Sequence, residues 1–201
     1  MTPILLNQLR GIITSPLISM FCKKFEENEN LLKRAIDTSI CTVLIGLDNL
    51  LDNTLLYNKV IESITLTEFY KSTEYDNGKL SSLTFSFEHE GFTPLNLIFS
   101  AKKGRISEMI SNEIGVKSET AGAILNFAVM LILSHFKNEQ EKGNTIQNDL
   151  NSEIKAILNA VPEGIRVILG YTNFECDSYT GTETLIKTNL KPHFFTKIFK
   201  L

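Results

Sequence analysis

Residues 29–47 read ENLLKRAIDTSICTVLIGL and residues 118–136 read SETAGAILNFAVMLILSHF. Each is a polar start followed by a long apolar run, and each follows a shorter stretch of helical pattern at the same distance. Residues 6–47 lie on 95–136 without a gap: 6 and 95 are 89 apart, and so are 47 and 136. In that register apolar positions coincide, among them Leu6 with Leu95, Leu17 with Ile106, Met20 with Met109, Phe21 with Ile110, Ile40 with Val129 and Leu44 with Leu133. A duplicated unit changes how every later feature is read, because one copy can bury its apolar face against the other.

Within the first unit Leu17, Met20, Phe21 and Phe25 fall at i, i+3, i+4 and i+8, which is one face of an α-helix. Ser15 and Pro16 are expected to open that helix, the hydroxyl as N-cap and the proline where a missing donor costs nothing. Polar residues from Glu26 to Asn30, and Gly115 to Ser118, interrupt the pattern at corresponding places, with Asn28 and Ser118 as the expected caps of the longer helices. Each unit is then a helix, a corner and a longer apolar helix. The expected fold class is all-α and multihelical, with the two related units packed into one core.

The rest of the chain divides around these units. Residues 1–70 hold the first unit and a further helix from Leu50 to about Phe69, whose stripe is Leu51, Leu55, Leu56, Val60 and Ile64. Residues 71–93 form a polar connection, turn-like as far as Asp76-Asn77-Gly78, with a strand pattern from Leu83 to Phe87. Residues 94–140 are the second unit, and 137–149 read as a charged linker around Gly143. Residues 150–170 are expected to be a helix-turn-helix segment: Ile154, Ile157 and Leu158 share a face, Val161-Pro162-Glu163-Gly164 has the composition of a type I turn, and a short helix closes at Gly170. Residues 171–201 are expected to form an irregular or hairpin-like tail. Its end carries Phe194, Phe195, Lys197, Ile198, Phe199, Lys200 and Leu201, a short basic amphipathic segment if helical, which either closes this protein's own core or docks on a partner or a membrane surface.

Composition narrows the function. In 201 residues, 43% hydrophobic content is enough for a sizeable core. A formal charge of -3 offers no overall attraction to phosphate backbones, so nucleic acid is not an expected partner. Three cysteines, Cys22, Cys41 and Cys176, are an odd number in a chain too large to need staples, which favours a reducing compartment. Met1 to Leu6 lacks a basic leader and Arg10 breaks the apolar stretch, so a secretory signal is not expected and the cytoplasm is. The longest apolar run, Ala123 to Leu133, contains Asn126 and is short of the roughly 20 residues of a spanning helix. It reads as a buried helix, and no transmembrane segment is expected.

The chemistry-bearing residues are scattered. His89, His135 and His193 show no metal-ligand spacing, and no CxxC or HExxH occurs. His135, near the end of an apolar helix, is expected to be partly positive and to suit the carbonyl end of the dipole. Cys41 reads as a small buried hydrophobe and Cys22 as more exposed, while Cys176 between Glu175 and Asp177 would have a raised thiol pKa. No glycine-rich phosphate loop is present. Lys102, Lys103 and Arg105 around Gly104 form the densest basic cluster, read as a solvated corner.

The two units and the following segment resemble the YidB-like family of bacterial proteins, also described as domain of unknown function 937, over about residues 4–170. In the first unit the likeness lies in Leu5-Leu6 to Gly11, Ser15-Pro16-Leu17 and Ile40 to Leu47. In the second it lies in Leu97-Ile98-Phe99, Ile106 to Ile110, Ile114 to Ser118 and Ala121 to Leu133, and beyond it in Ile154 to Gly170 with its Val161-Pro162-Glu163-Gly164. The resemblance implies a multihelical fold with two subdomains and supplies no catalytic residues. Relatives commonly have a proline in each longer helix, where this chain has Cys41 and Met130, 89 apart; straighter helices are implied. Some relatives continue into a membrane segment and a peptidoglycan-binding domain, which the resemblance here does not reach.

No catalytic, metal-binding or cofactor-binding residue is assigned, and the chain is read as not an enzyme. The expected function is that of a helical interaction, adaptor or assembly module binding a protein partner through Phe194, Phe195, Lys197, Ile198, Phe199, Lys200 and Leu201. The alternative is a peripheral envelope- or lipid-associated protein making weak membrane-surface contact through the same end.

Overall fold

A computed structural model of the chain describes residues 4–63, 73–76, 79–83, 92–143 and 146–172. In chain order these are α1 (Ile4–Ile12), α2 (Ser15–Phe25), α3 (Glu29–Asp48), α4 (Thr54–Glu62), β1 (Thr73–Asp76), β2 (Lys79–Leu83), α5 (Phe92–Phe99), a 3-10 turn (Ser100–Lys102), α6 (Lys103–Ile114), α7 (Ser118–Glu141), α8 (Ile146–Asn159) and α9 (Glu163–Leu169). The fold is all-α and multihelical.

The 89-residue offset carries over into the elements. α2 and α6 end on Phe25 and Ile114, and α3 and α7 begin on Glu29 and Ser118. The residues closing α2 and α6, Glu26 and Gly115, are also 89 apart and both take left-handed backbone, with φ of 53° and 86°. Glycine adopts that conformation without steric cost, whereas a side chain pays for it in strain. The same corner is therefore built twice, once from a residue suited to it and once from one that is not.

The two long helices pack on each other more extensively than any other described helix pair, and the remaining elements wrap them. From Thr38 to Asp48 every residue of α3 is buried, as is every residue of α7 from Ala123 to Ser134. A helix covered on all sides needs no polar face, which explains the continuous apolar runs. Two of their buried hydroxyls are satisfied within the helix, Thr42 Oγ1 donating to the Thr38 carbonyl at 2.7 Å and Ser134 Oγ to the Met130 carbonyl at 2.6 Å, while the buried Ser39 Oγ has no hydrogen-bond partner among the described residues. All the buried apolar residues of both units join in one cluster with those of α8 and α9. At its centre Phe21 meets Phe127 edge-on, ring centres 5.1 Å apart.

Several expectations are corrected. α2 is capped by Thr14, whose side chain accepts from the Leu17 amide at 3.4 Å, so Ser15 is already helical and is not the cap. Asn28 caps α3 through the Asn30 amide, as expected. Ser118 does not cap α7 but is its first residue. α4 starts at Thr54, not Leu50, because Asn53 accepts from the Leu56 amide. That start sets the buried face to Tyr57, Val60 and Ile61 and leaves Leu55 84% exposed; Ile64 lies outside the described residues.

The polar connection contains an antiparallel hairpin, with Thr73 opposite Leu83 and Asp76 opposite Lys79. Asn77-Gly78, which lies between the two strands in sequence, is a dipeptide favoured in hairpin turns. The strand pattern from Leu83 to Phe87 falls almost wholly outside the described residues. Buried Leu80 anchors β2: its carbonyl accepts from the Thr14 amide at 3.3 Å and the Thr14 hydroxyl at 2.7 Å.

The charged stretch 137–149 is mostly helix, since α7 runs to Glu141 and α8 begins at Ile146. Gln140 to Lys142 and Gln147 to Asp149 are exposed, so these polar residues belong to the solvent side of helices and not to a linker. Pro162 to Gly164 opens α9, with the Pro162 carbonyl accepting from the Ile165 and Arg166 amides at 3.1 Å. α9 closes at Gly170 with φ of 104°. α3 and α7 run uninterrupted through Cys41 and Met130.

Candidate functional site

The side chains that reach between helices end largely on backbone. The Glu153 carboxylate of α8 accepts from the amides of Ile4, Leu5 at 2.8 Å and Leu6 at 3.2 Å, and so caps α1 from across the fold. Glu27 does the same for α7: its Oε1 accepts from the Lys117 amide at 2.7 Å and the Thr120 hydroxyl at 3.0 Å. Lys117 returns the contact through Nζ to the Phe25 carbonyl at 2.9 Å. The starts of the two long helices are thereby clasped together. Arg166, buried, donates to the Leu158 and Val161 carbonyls at 3.2 and 3.1 Å and closes the end of α8. On the surface Arg10 grips Asp37 with two bonds, 2.5 and 2.8 Å.

At the end of α3, Tyr171 donates to Asn49 Oδ1 at 3.0 Å and Asn49 donates to the Leu169 carbonyl at 3.4 Å. Burial pushes the Tyr171 phenol up to about 12, helped by the charge and hydrogen bonding of buried Asp48. This fastens the end of α9 to the end of α3.

Among the residues weighed for chemistry, Cys41 is fully buried and its thiol is pushed up to about 12, first by burial and then by Asp37, so it is inert. Cys22 is half-buried, its thiol raised by burial and by Glu29. His135 overturns its expected charge: α7 continues past it to Glu141, so it is not at the carbonyl end. Its Nε2 is buried without a hydrogen-bond partner among the described residues, and burial lowers its pKa, against Glu139. Burial thus favours the neutral ring. Lys102 and Arg105 are exposed around the start of α6, while Lys103 is half-buried and its ammonium pKa lowered by that burial. Among the described residues no three His, Cys, Asp or Glu side chains gather as a metal site. His89, His193, Cys176 and the residues Phe194 to Leu201 lie outside the described residues.

Among the described residues, two concavities stand out. A groove of about 470 Å³ between α2 and α7 has Phe25, Gly122 and Ala123 as apolar walls, with Lys24 and Glu119 at its edges and Asn126 inside. Lys24 Nζ lies 5.7 Å from the Phe25 ring centre. A cavity of about 280 Å³ between α4, α7 and α8 has an apolar floor of Tyr57, Ile61, Phe136 and Ile146, all buried, and a rim of exposed Asn58, Glu62, Gln140 and Gln147. The Tyr57 phenol is raised by burial, against its bond to Gln147. Neither concavity was legible in the sequence, because their walls come from helices far apart in the chain.

α7 is the one described helix long and apolar enough to cross a membrane by length and composition, and 83% of its most apolar window is buried inside the protein. Compared with family models, with curated proteins and with solved structures, the chain finds no match in any of the three.

Proposed function

We propose that this chain is a non-enzymatic helical interaction module, an adaptor or assembly component that engages a protein partner through Phe194, Phe195, Lys197, Ile198, Phe199, Lys200 and Leu201. The observation that supports this reading is where the reaching polar side chains end: Glu27, Glu153 and Arg166 are all engaged on backbone amides or carbonyls. Such groups hold a scaffold together, and recognition then falls to its surfaces and to the aromatic, basic end. The YidB-like resemblance and a cytoplasmic location belong to the same proposal, and the free thiols of Cys22 and Cys41 suit a reducing compartment.

The test is affinity purification of the full chain from native lysate beside a Phe195→Asp/Phe199→Asp variant. The reading expects a stoichiometric protein retained by the first and lost by the second. Recovery of the free chain alone at every salt concentration would sink it. The second reading, a peripheral lipid contact through the same basic end, expects flotation of the full chain with anionic vesicles and its loss in that variant.

A further inference from the structure

We propose that the cavity between α4, α7 and α8 is the resting dock of this chain's own 192–201 segment, which is released from it when a partner is engaged. The proposal rests on reading that segment as the recognition element, and it adds where the segment sits in the unpartnered protein.

Three observations converge. The chemistry is complementary: residues 192–201 hold aromatic and aliphatic side chains with Lys197 and Lys200 and no acid, and among the described lining residues of the cavity the charged one is Glu62, over a floor with two aromatic rings. The groove between α2 and α7 presents both Lys24 and Glu119 and offers no such preference. The path also favours the cavity. Tyr171, next to the last residue of the described body, is bonded to Asn49, four residues before Asn53, which caps α4, and the lining residues of α4 lie within the nine residues of that helix, roughly 13 Å of rise. Finally, the length suffices: residues 173–191 can extend to roughly 60 Å, so the end is tethered near the cavity at an effective concentration on the order of millimolar. A weak contact is enough to hold a segment tethered in this way, and a partner in trans must compete with it, which makes the dock a brake.

The experiment places the photo-crosslinking analogue benzoylphenylalanine at position 199 of the full chain and maps the products by mass spectrometry. The expected result is crosslinking within one chain to residues 57–62 or 136–147, with a yield independent of protein concentration. Glu62→Lys with Gln140→Lys, both on exposed positions, should reduce that yield roughly fivefold. Crosslinks to residues 24–25 or 119–126, covalent dimers that grow with concentration, or a yield unmoved by the double substitution would each overturn the proposal. A dock that maps to the cavity while no partner is ever captured keeps the dock but removes its release by a partner together with the functional reading; a partner lost on Phe195→Asp/Phe199→Asp with no crosslink to the cavity keeps the functional reading and removes the dock.

Discussion

The Glu27 carboxylate accepts the Lys117 amide at 2.7 Å across 90 residues of sequence, so the first corner of the duplicated unit supplies the N-cap that the second long helix lacks. The same oxygen accepts the hydroxyl of Thr120, which is fully buried. Glu27→Ala leaves both donors without an acceptor and is expected to cost about 1–2 kcal/mol. Glu27→Gln, which retains an acceptor, should cost less. Urea midpoints at constant slope measure both.

Glu26 holds left-handed backbone where the second unit has Gly115. Its carboxylate lies 3.7 Å from Lys117 Nζ on an open surface, a contact of little energy. Glu26→Gly should therefore stabilise the fold by about 1 kcal/mol, the relief of strain exceeding the added freedom of the unfolded chain. A lower urea midpoint for this variant would contradict the role assigned to the corner.

Gly46 lets α3 approach α5. A Cβ at that position would stand 2.5 Å from Ile98 Cγ2 and 2.5 Å from Phe99 Cε1, closer than real contacts allow. Gly46→Ala should destabilise by about 1–3 kcal/mol through overpacking, even though alanine is the better helix former. In a Phe99→Ala background the same substitution should cost less, since the colliding ring is gone; thermal denaturation of the four proteins of this cycle measures the coupling.

His135 makes stability depend on pH. Its folded pKa is lowered by burial below the ordinary value, while in the unfolded chain it takes a proton near about pH 6.5. In the interval between the two the unfolded chain binds more protons, so stability falls as pH drops below about 6.5 and is recovered above it. His135→Asn should flatten that limb of the curve, read as denaturant midpoints between about pH 5 and 7.5. Equal slopes in both proteins would assign the acid sensitivity to other groups.

How much of this was legible follows from where each interaction comes from. The helices of the repeat, their shared offset and the buried character of both long runs were readable, because burial imposes a periodicity that each segment carries locally. The short caps are half readable: Asn28 reads as a cap and is one, whereas Ser15 reads as the cap that its neighbour Thr14 supplies, a one-residue choice that composition does not decide. The hairpin is hard to read although Asn77-Gly78 signals it, because polar residues surround the pair, and 137–149 reads as a linker because solvent-facing helix and loop share the same polar residues.

By itself, then, the sequence determined the class of fold and its internal repetition, since both depend on the spacing of apolar residues along the chain. Only the tertiary structure decided which acids cap which helices, which face of α4 is covered and where the concavities lie. Glu153 meets Leu5 across 148 residues, and nothing near either residue encodes the meeting. Such contacts are set by the packing of whole helices, which brings a carboxylate to free amides only after the apolar core has chosen the arrangement.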